Sequence, residues 1–267
     1  MIDTRLGGRT ALVTGANGPL GIGAAIARAL AAEGVRLALC SLPEALPDRP
    51  DRYALSKADD GRRVLGEVRA LGVEAELFEV DLATVDAADL FERVEGALGP
   101  VEILVNNAAY CVPDTFLPDG RTVDGASLDA HHAVNTRAPA LLMTEFHRRH
   151  LRRGADWGRI VSISTDAAPG APGEISYWAT KNALESLSRS AALEFGAAGI
   201  TVNIISPGPI QTGWLDGGLE GEVAALSPLG RVGHPEDIAD IAVFLASHQG
   251  RWLTGQTILA GGGKRMI

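Results

Sequence analysis

Cysteine is scarce in this chain: Cys40 and Cys111 are the only two among 267 residues. Two thiols cannot build a disulfide framework, and both read as core residues of a protein kept in a reducing cytosol. Long apolar runs are missing as well. No stretch approaches the roughly 18 apolar residues that a membrane-spanning helix needs. The opening "MIDTRLGGRTALV" lacks the basic region and apolar core of a signal peptide, so a cytoplasmic location is expected. Basic charge is in deficit: 24 Lys and Arg against 33 Asp and Glu leave a net charge of −9. Nucleic acid and anionic membranes select the opposite sign, so neither is expected as a partner. No internal repeat, linker-like composition shift or metal site is expected either.

With 46% hydrophobic residues the chain has enough apolar material for a core. Short apolar runs recur at 10–14, 36–40, 74–80, 101–106, 159–164, 200–205 and 256–260. Helical patterns lie between most of them. Ile22, Ile26, Ala29 and Leu30 share one helical face, as do Leu184, Leu187, Ala191 and Phe195. Pro235, Glu236 and Asp237 open a further helix whose stripe is Ile238, Ile241, Ala242 and Leu245. Strands alternating with helices require crossover connections. They predict an α/β fold with a doubly wound parallel sheet of about seven strands, helices on both faces, in one domain over 1–267. Two stretches break the rhythm. Residues 43–62 hold three prolines and mixed charges and read as an extended loop. Residues 211–230 are Gly-rich with a short amphipathic centre, which suits a mobile substrate flap, with Trp214 a plausible apolar contact.

"TALVTGANGPLGIG" places Gly15, Gly21 and Gly23 between a predicted strand and a predicted helix. That is the setting of a phosphate cradle, where glycine lets a pyrophosphate approach the backbone and the helix N-terminus supplies free N–H groups. Taken alone, the loop favours the cradle and leaves a plain strand-to-helix turn as the lesser alternative, because its spacing exceeds that of the G-x-G-x-x-G fingerprint. The residue that reads the adenosine ribose should end the second strand, and counting places Ser41 there. A carboxylate would bond the ribose 2′-hydroxyl and repel a 2′-phosphate. Ser41 does neither, so NADP(H) is favoured over NAD(H). No Arg or Lys sits beside Ser41; Arg49 and Arg52 are near enough in sequence to reach in.

Tyr177 and Lys181 stand four apart on a predicted helix and project from one face. A free phenol has a pKa near 10 and exchanges protons poorly at neutral pH. A neighbouring ammonium favours the phenolate and moves Tyr177 toward acid/base work. Ser164, at the end of a strand, is able to donate a hydrogen bond to the same substrate oxygen.

Taken with "NNAA" at 106–109, Asn135 in "VNTRAP" and "PGPIQT" at 207–212, these motifs resemble those of the short-chain dehydrogenase/reductase family, in order and over essentially the whole chain. The resemblance identifies the glycine loop as a nicotinamide-cofactor cradle in a Rossmann fold. It implies that Tyr177 is the general acid for reduction and the base for oxidation. Lys181 would bind the nicotinamide ribose, Ser164 would polarise the carbonyl, and Asn135 would hold a water in the proton relay. Cofactor contacts would come from Gly15, Asn17, Gly21, Ile22, Gly23, Ser41, Asp81, Leu82, Asn107, Ala108 and Ala109. Tyr177, Lys181, Pro207, Gly208, Ile210 and Thr212 complete that set, with Ile210 and Thr212 on the carboxamide.

The sequence also departs from the family. Its glycine loop is two residues longer than T-G-x-x-x-G-x-G, a length shared with enoyl-thioester reductases; those separate Tyr and Lys by six residues, and position 184 here is Leu. Spacing to Tyr177 selects Ser164 as the catalytic hydroxyl, whereas anchoring on the strand selects Thr165. Ser162 reads as structural. The reaction class expected is interconversion of a ketone and a secondary alcohol, on a 3-oxoacyl thioester or a secondary-metabolite ketone. The alternatives are an enoyl-thioester reductase and a catalytically silent nucleotide sensor. A homotetramer or homodimer is implied, with Ala191, Ala192, Ala197 and Ala198 allowing close approach of a partner.

Overall fold

The computed structural model describes residues 3–42, 59–213, 215 and 217–263. In chain order its main elements are β1 (Thr10–Thr14), α1 (Ile22–Ala32), β2 (Arg36–Ser41), α2 (Asp60–Arg69), β3 (Ala75–Glu79), α3 (Ala87–Leu98) and β4 (Val101–Asn106). There follow α4 (Gly125–His132), a π-turn (Ala133–Arg137), α5 (Ala138–Arg152), β5 (Gly158–Ile163) and α6 (Ile175–Phe195). The remainder is β6 (Ile200–Pro207), α7 (Gly217–Ala225), α8 (Pro235–Ala246) and β7 (Thr257–Ala260). The seven strands form one parallel sheet in the order β3-β2-β1-β4-β5-β6-β7.

Strand periodicity divides the core in two. Ala11, Val13, Leu37, Leu39, Ile103, Val105 and Val161 point to the face covered by Ile26 and Leu30 of α1 and Ile238 and Leu245 of α8. Their neighbours Leu12, Ala38, Leu104, Ile160 and Val202 point the other way, against Leu90 and Phe91 of α3, Phe146 of α5 and Ala191 of α6. Burial on both faces explains why the strands read as unbroken apolar runs. The strand order reverses between β1 and β4, so the carboxyl ends of these strands flank the crevice where open α/β sheets bind ligands.

The structure corrects several expectations. Residues 60–62 are not loop: α2 begins at Asp60, which places an acidic residue in its first turn. Residues 43–58, with Arg49 and Arg52, lie outside the described residues, as does Trp214. The 211–230 stretch carries the helix α7. Cys40 is buried, but Cys111 is only half-buried and is not a core residue; neither forms a disulfide. Ala191 and Ala192 face the chain's own sheet and are 8% and 4% exposed, so the strands of this chain rather than a partner occupy that approach. No helix among the described residues is long and apolar enough to cross a membrane.

Candidate active site

The glycine loop leaves β1 at Gly15, whose φ of +69° suits glycine. The two residues by which the loop is long are absorbed as a tight turn: the Gly21 N–H donates to the Gly18 carbonyl at 2.7 Å, with Pro19 at the second position. Arg28 ties this turn down by donating to the Pro19 carbonyl at 2.8 Å while pairing with Glu67 at 2.8 Å. Gly21 then caps α1 with no side-chain hydrogen bond, and the first turn of α1 holds no acidic residue. The leading N–H groups of α1 therefore keep both their donors and their positive dipole end for an anion. Asn17 and Ile22 are half-buried along this turn.

Asn107 braces the loop from β4. Its Nδ2 donates to the Thr14 carbonyl at 2.9 Å and the Gly15 carbonyl at 3.0 Å. The Thr14 hydroxyl accepts from the N–H groups of Asn107 at 3.0 Å and Ala108 at 3.1 Å. A Cβ at Gly23 would lie 2.5 Å from the Gly15 carbonyl oxygen and closer still to Asn107 Nδ2. Gly23 is thus required by contact between helix and loop. Asn107 supports the cradle with its side chain, and Ala108 and Ala109 follow, half-buried, along the crevice.

At the carboxyl end of β2, Ser41 closes the strand and is 6% exposed. Gly61 of α2 packs toward it, its added Cβ falling 3.6 Å from Ser41 Cβ. Asp81 turns its Oδ1 onto the Ala83 N–H at 2.8 Å, forming a local turn. Leu82 is 7% exposed and packs into the α3 side of the core. β6 in turn closes on Pro207, which accepts from the Asp166 N–H at 2.8 Å. Gly208 donates to the Ala260 carbonyl at 3.1 Å. Ile210 bridges to Gly233, and the Thr212 N–H donates to the Ile210 carbonyl at 2.9 Å. Ile210, Val223 and Ile241 line a cavity of about 160 Å³ between this segment, α7 and α8.

The carboxyl end of β5 meets the first half of α6. Lys181 is 1% exposed, and its Nζ donates to the Ile163 carbonyl at 2.7 Å. The same Nζ lies 5.6 Å from the centre of the Tyr177 ring. Burial pulls the lysine pKa down from 10.5 to about 8, against a smaller opposing influence from Cys111, so the ammonium form still prevails at pH 7. Tyr177 is half-buried with Trp178 tilted against it at 4.9 Å.

Asn135 sits in the π-turn, completely buried. Its Oδ1 accepts from the Tyr110 N–H at 2.7 Å, and its Nδ2 donates to the Tyr110 carbonyl at 2.8 Å and to Thr180 Oγ1 at 3.0 Å. The side chain is committed to protein partners, which leaves the expected water-holding role without support from it. π-turns recur at functional sites because they redirect main-chain groups.

Ser164 is the clearest departure from expectation. Like Ser162, which accepts from the Ser188 hydroxyl at 3.0 Å, it faces α6. Its hydroxyl donates to the Glu185 carboxylate at 2.7 Å, inside the protein. Glu185 in turn pairs with Arg189 at 3.2 Å. Thr165 is half-buried, and its hydroxyl oxygen accepts only a long bond from Ala167, at 3.4 Å.

One group escaped the sequence reading. Asp114, 1% exposed, accepts from the Ser176 N–H at 2.9 Å, from the Ser176 hydroxyl and from the Ser127 hydroxyl at 2.7 Å. Burial pushes its carboxyl pKa up, but the hydrogen bonds from Ser176 and Ser127 together with the nearby His131 outweigh this and hold it below the ordinary 3.8. His131 completes the cluster, with Nδ1 on the Ser127 carbonyl at 2.7 Å and Nε2 accepting from the Val112 N–H at 3.2 Å. Asp114 therefore anchors the start of α6 one residue before Tyr177. No local sequence signature marks a pair separated by 62 positions.

Comparison with known proteins agrees with this geometry. A family model described as enoyl-(acyl carrier protein) reductase matches residues 15–265. An uncharacterized oxidoreductase of Bacillus subtilis, YjdA, is 35% identical over 257 residues, covering 96% of each chain. The 3-oxoacyl-[acyl-carrier-protein] reductase FabG of Staphylococcus epidermidis is 33% identical over 263 residues, covering 97% of this chain and 99% of its own. A crystal structure of a 3-oxoacyl (acyl-carrier-protein) reductase from Agrobacterium tumefaciens with NADP bound superposes with a TM-score of 0.83 at 30% identity, covering 99% of this chain and 98% of that one. With the glycine turn, the parallel sheet and the matches running the length of the chain, the protein belongs to the short-chain dehydrogenase/reductase family and is an oxidoreductase.

Proposed function

We propose that this oxidoreductase interconverts a ketone and a secondary alcohol using NADP(H), as a single catalytic domain over 1–267 with a substrate flap at 211–230. The observation that carries the reading is Lys181: a buried ammonium below the Tyr177 ring, anchored on the end of β5. Held there, its charge favours the phenolate of Tyr177 and makes that hydroxyl a usable proton donor and acceptor at neutral pH.

The residues present fit a dinucleotide. The uncapped start of α1 would take the pyrophosphate, and Ser41 and Asp81 would flank the adenosine. Ile210 and Thr212 would hold the carboxamide, and Lys181 the nicotinamide ribose. Bound there, the cofactor supplies the hydride. Tyr177 moves the proton at the substrate oxygen, and a second hydroxyl steadies that oxygen. Thr165 is the better candidate for this second role, since Ser164 already donates to Glu185. Preference for NADP(H) draws on the missing carboxylate at Ser41 and on the NADP bound to the Agrobacterium relative. The acidic first turn of α2, beside Ser41, works against a 2′-phosphate, so parallel titrations with NADPH and NADH are the decisive check.

The substrate class we favour is a 3-oxoacyl thioester or a comparable secondary-metabolite ketone, by analogy with the FabG relatives. The description of the matching family model favours a second reading, enoyl-thioester reduction. Lys181 stands four residues after Tyr177, and Leu184 occupies the position where that chemistry would place its lysine. Paired 3-oxoacyl and enoyl thioesters, offered with each cofactor, separate the two. Oxidation of NADPH with the 3-oxoacyl compound alone supports carbonyl reduction. Turnover of only the enoyl compound overturns it, and cofactor binding without any turnover indicates a silent nucleotide sensor. A cytoplasmic homotetramer or homodimer completes the proposal; sedimentation in solution tests the assembly.

A further inference from the structure

At the opposite end of the sheet from the glycine turn, where β5 and β6 begin, lies a cleft of about 440 Å³. That volume falls in the range of small-molecule sites. One of its lining residues is Arg159, the second residue of β5 and only 4% exposed. Its Nη1 donates to the Gly158 carbonyl at 2.7 Å, while its buried Nε has no hydrogen-bond partner. No carboxylate among the described residues pairs with it. Its guanidinium instead stacks on Trp157, 4.4 Å from the ring centre. Arg9 stacks on the same ring at 3.5 Å and is itself paired with Glu102, so it adds repulsion rather than neutralisation. Burial, followed by Arg9, lowers the Arg159 pKa to about 10, which leaves it charged at neutral pH.

A buried cation without a counter-charge is among the costliest arrangements in a protein interior and calls for an anion. The rim repeats the sign. Arg251 lies at the mouth, and of the neighbouring acids Asp3 is taken by Arg5 and Glu102 by Arg9. Arg159 and Arg251 then face the single exposed carboxylate of Asp156, an excess of one positive charge in a chain whose net charge is −9. Trp252, 94% exposed, stands at the same mouth. A fully exposed indole beside a half-buried one offers a flat apolar surface next to the cations.

We propose that this basal cleft is a second ligand site, which takes a small molecule bearing an oxyanion group on a flat apolar body. The oxyanion meets Arg159 and Arg251, and the body lies against Trp157 and Trp252. The six residues of β5 separate this cleft from Lys181, a span of roughly 17 Å, so its occupant does not compete with the nicotinamide cofactor.

The test titrates benzoate, phenyl phosphate and inorganic phosphate into the full-length protein by calorimetry, with and without saturating NADPH. One-to-one binding of benzoate or phenyl phosphate, more tightly than inorganic phosphate and unchanged by NADPH, is expected; which of the two binds identifies the oxyanion. Arg251→Glu and Trp252→Ala, both at exposed positions, should each weaken binding about tenfold while NADPH affinity stays normal. Arg159→Met should abolish it. The proposal is overturned if neither aromatic probe binds up to about 10 mM. It is also overturned if NADPH displaces them, if inorganic phosphate binds as tightly, or if the two rim variants bind like the parent.

Discussion

Replacing Asp114 with alanine removes the acceptor of three hydrogen bonds at once. The two serine hydroxyls can turn toward other acceptors, but the Ser176 N–H is completely buried at the start of α6. An orphaned buried donor costs about 1–3 kcal/mol, and the two hydroxyl bonds to the same carboxylate contribute about 1 kcal/mol each. Bonds to an ionised acceptor lie at the upper end of their range, so the loss expected for Asp114→Ala is about 3–5 kcal/mol. Asp114→Asn keeps the Oδ1 acceptor and gives up the charge, and should lose about 1–2 kcal/mol. Acid sensitivity separates a charged anchor from a merely polar one. The folded carboxyl pKa lies below 3.8, so its stabilisation is complete above that value and is lost as pH falls through the folded pKa. Urea unfolding of parent and both variants, at pH 7 and again at successive values descending from 3.8, measures these differences. The parent should lose its advantage over Asp114→Asn in acid. Turnover of Asp114→Asn should fall more than its NADPH affinity, because Ser176 precedes Tyr177. A loss below about 1 kcal/mol for Asp114→Ala, or equal acid sensitivity of parent and Asp114→Asn, would refute the anchoring role.

Three further outcomes are expected. Gly23→Ala forces a methyl onto Gly15 and Asn107, and should weaken NADPH binding by about tenfold or more, measured by fluorescence titration. The Lys181 pKa, lowered from 10.5 to about 8, places a penalty of about 3 kcal/mol on the cofactor-free fold below pH 8. That penalty is relieved as pH rises from 8 toward 10.5, because the unfolded chain then binds the extra proton. Buried Cys40, its thiol pKa pushed up to about 12, works the other way in both proteins, so the stability of the parent relative to Lys181→Met is what should climb over this window. Thr165→Val should cut turnover by about a hundredfold. Ser164→Ala, which strips Glu185 of a donor, should chiefly lower stability, by about 1–2 kcal/mol; the reverse pattern restores Ser164 as the catalytic hydroxyl.

The elements carrying the site were legible because each satisfies one local rule. Strands buried on both faces appear as short apolar runs, which is why β1 and β4 fall where the pattern puts them. Tyr177 and Lys181 share a face because a helix repeats every 3.6 residues. What stayed hidden depends on contacts between distant segments. Ser164 and Thr165 compete for one role, and only the direction of each side chain around β5 separates them, through Glu185 twenty-one positions onward. The two-residue lengthening of the glycine loop looked like a departure and proves to be a self-contained turn on Pro19. Two of the four alanines assigned to a subunit contact, Ala191 and Ala192, are small for a nearer reason, the close packing of α6 on this chain's own sheet, whereas Ala197 is exposed and Ala198 half-buried beyond the end of α6. Arg159 and Asp114 carried no signal at all, since an unpaired charge and a buried anchor are defined by their surroundings.

The most direct test is a side-by-side measurement on Tyr177→Phe of NADPH affinity and of carbonyl turnover with a substrate the parent accepts. Affinity within about twofold of the parent, with turnover down by a factor of about 10²–10⁴, is the predicted result. A phenylalanine variant that turns over at the parent's rate would remove the phenol from the reaction, and the proton route built on Lys181 with it.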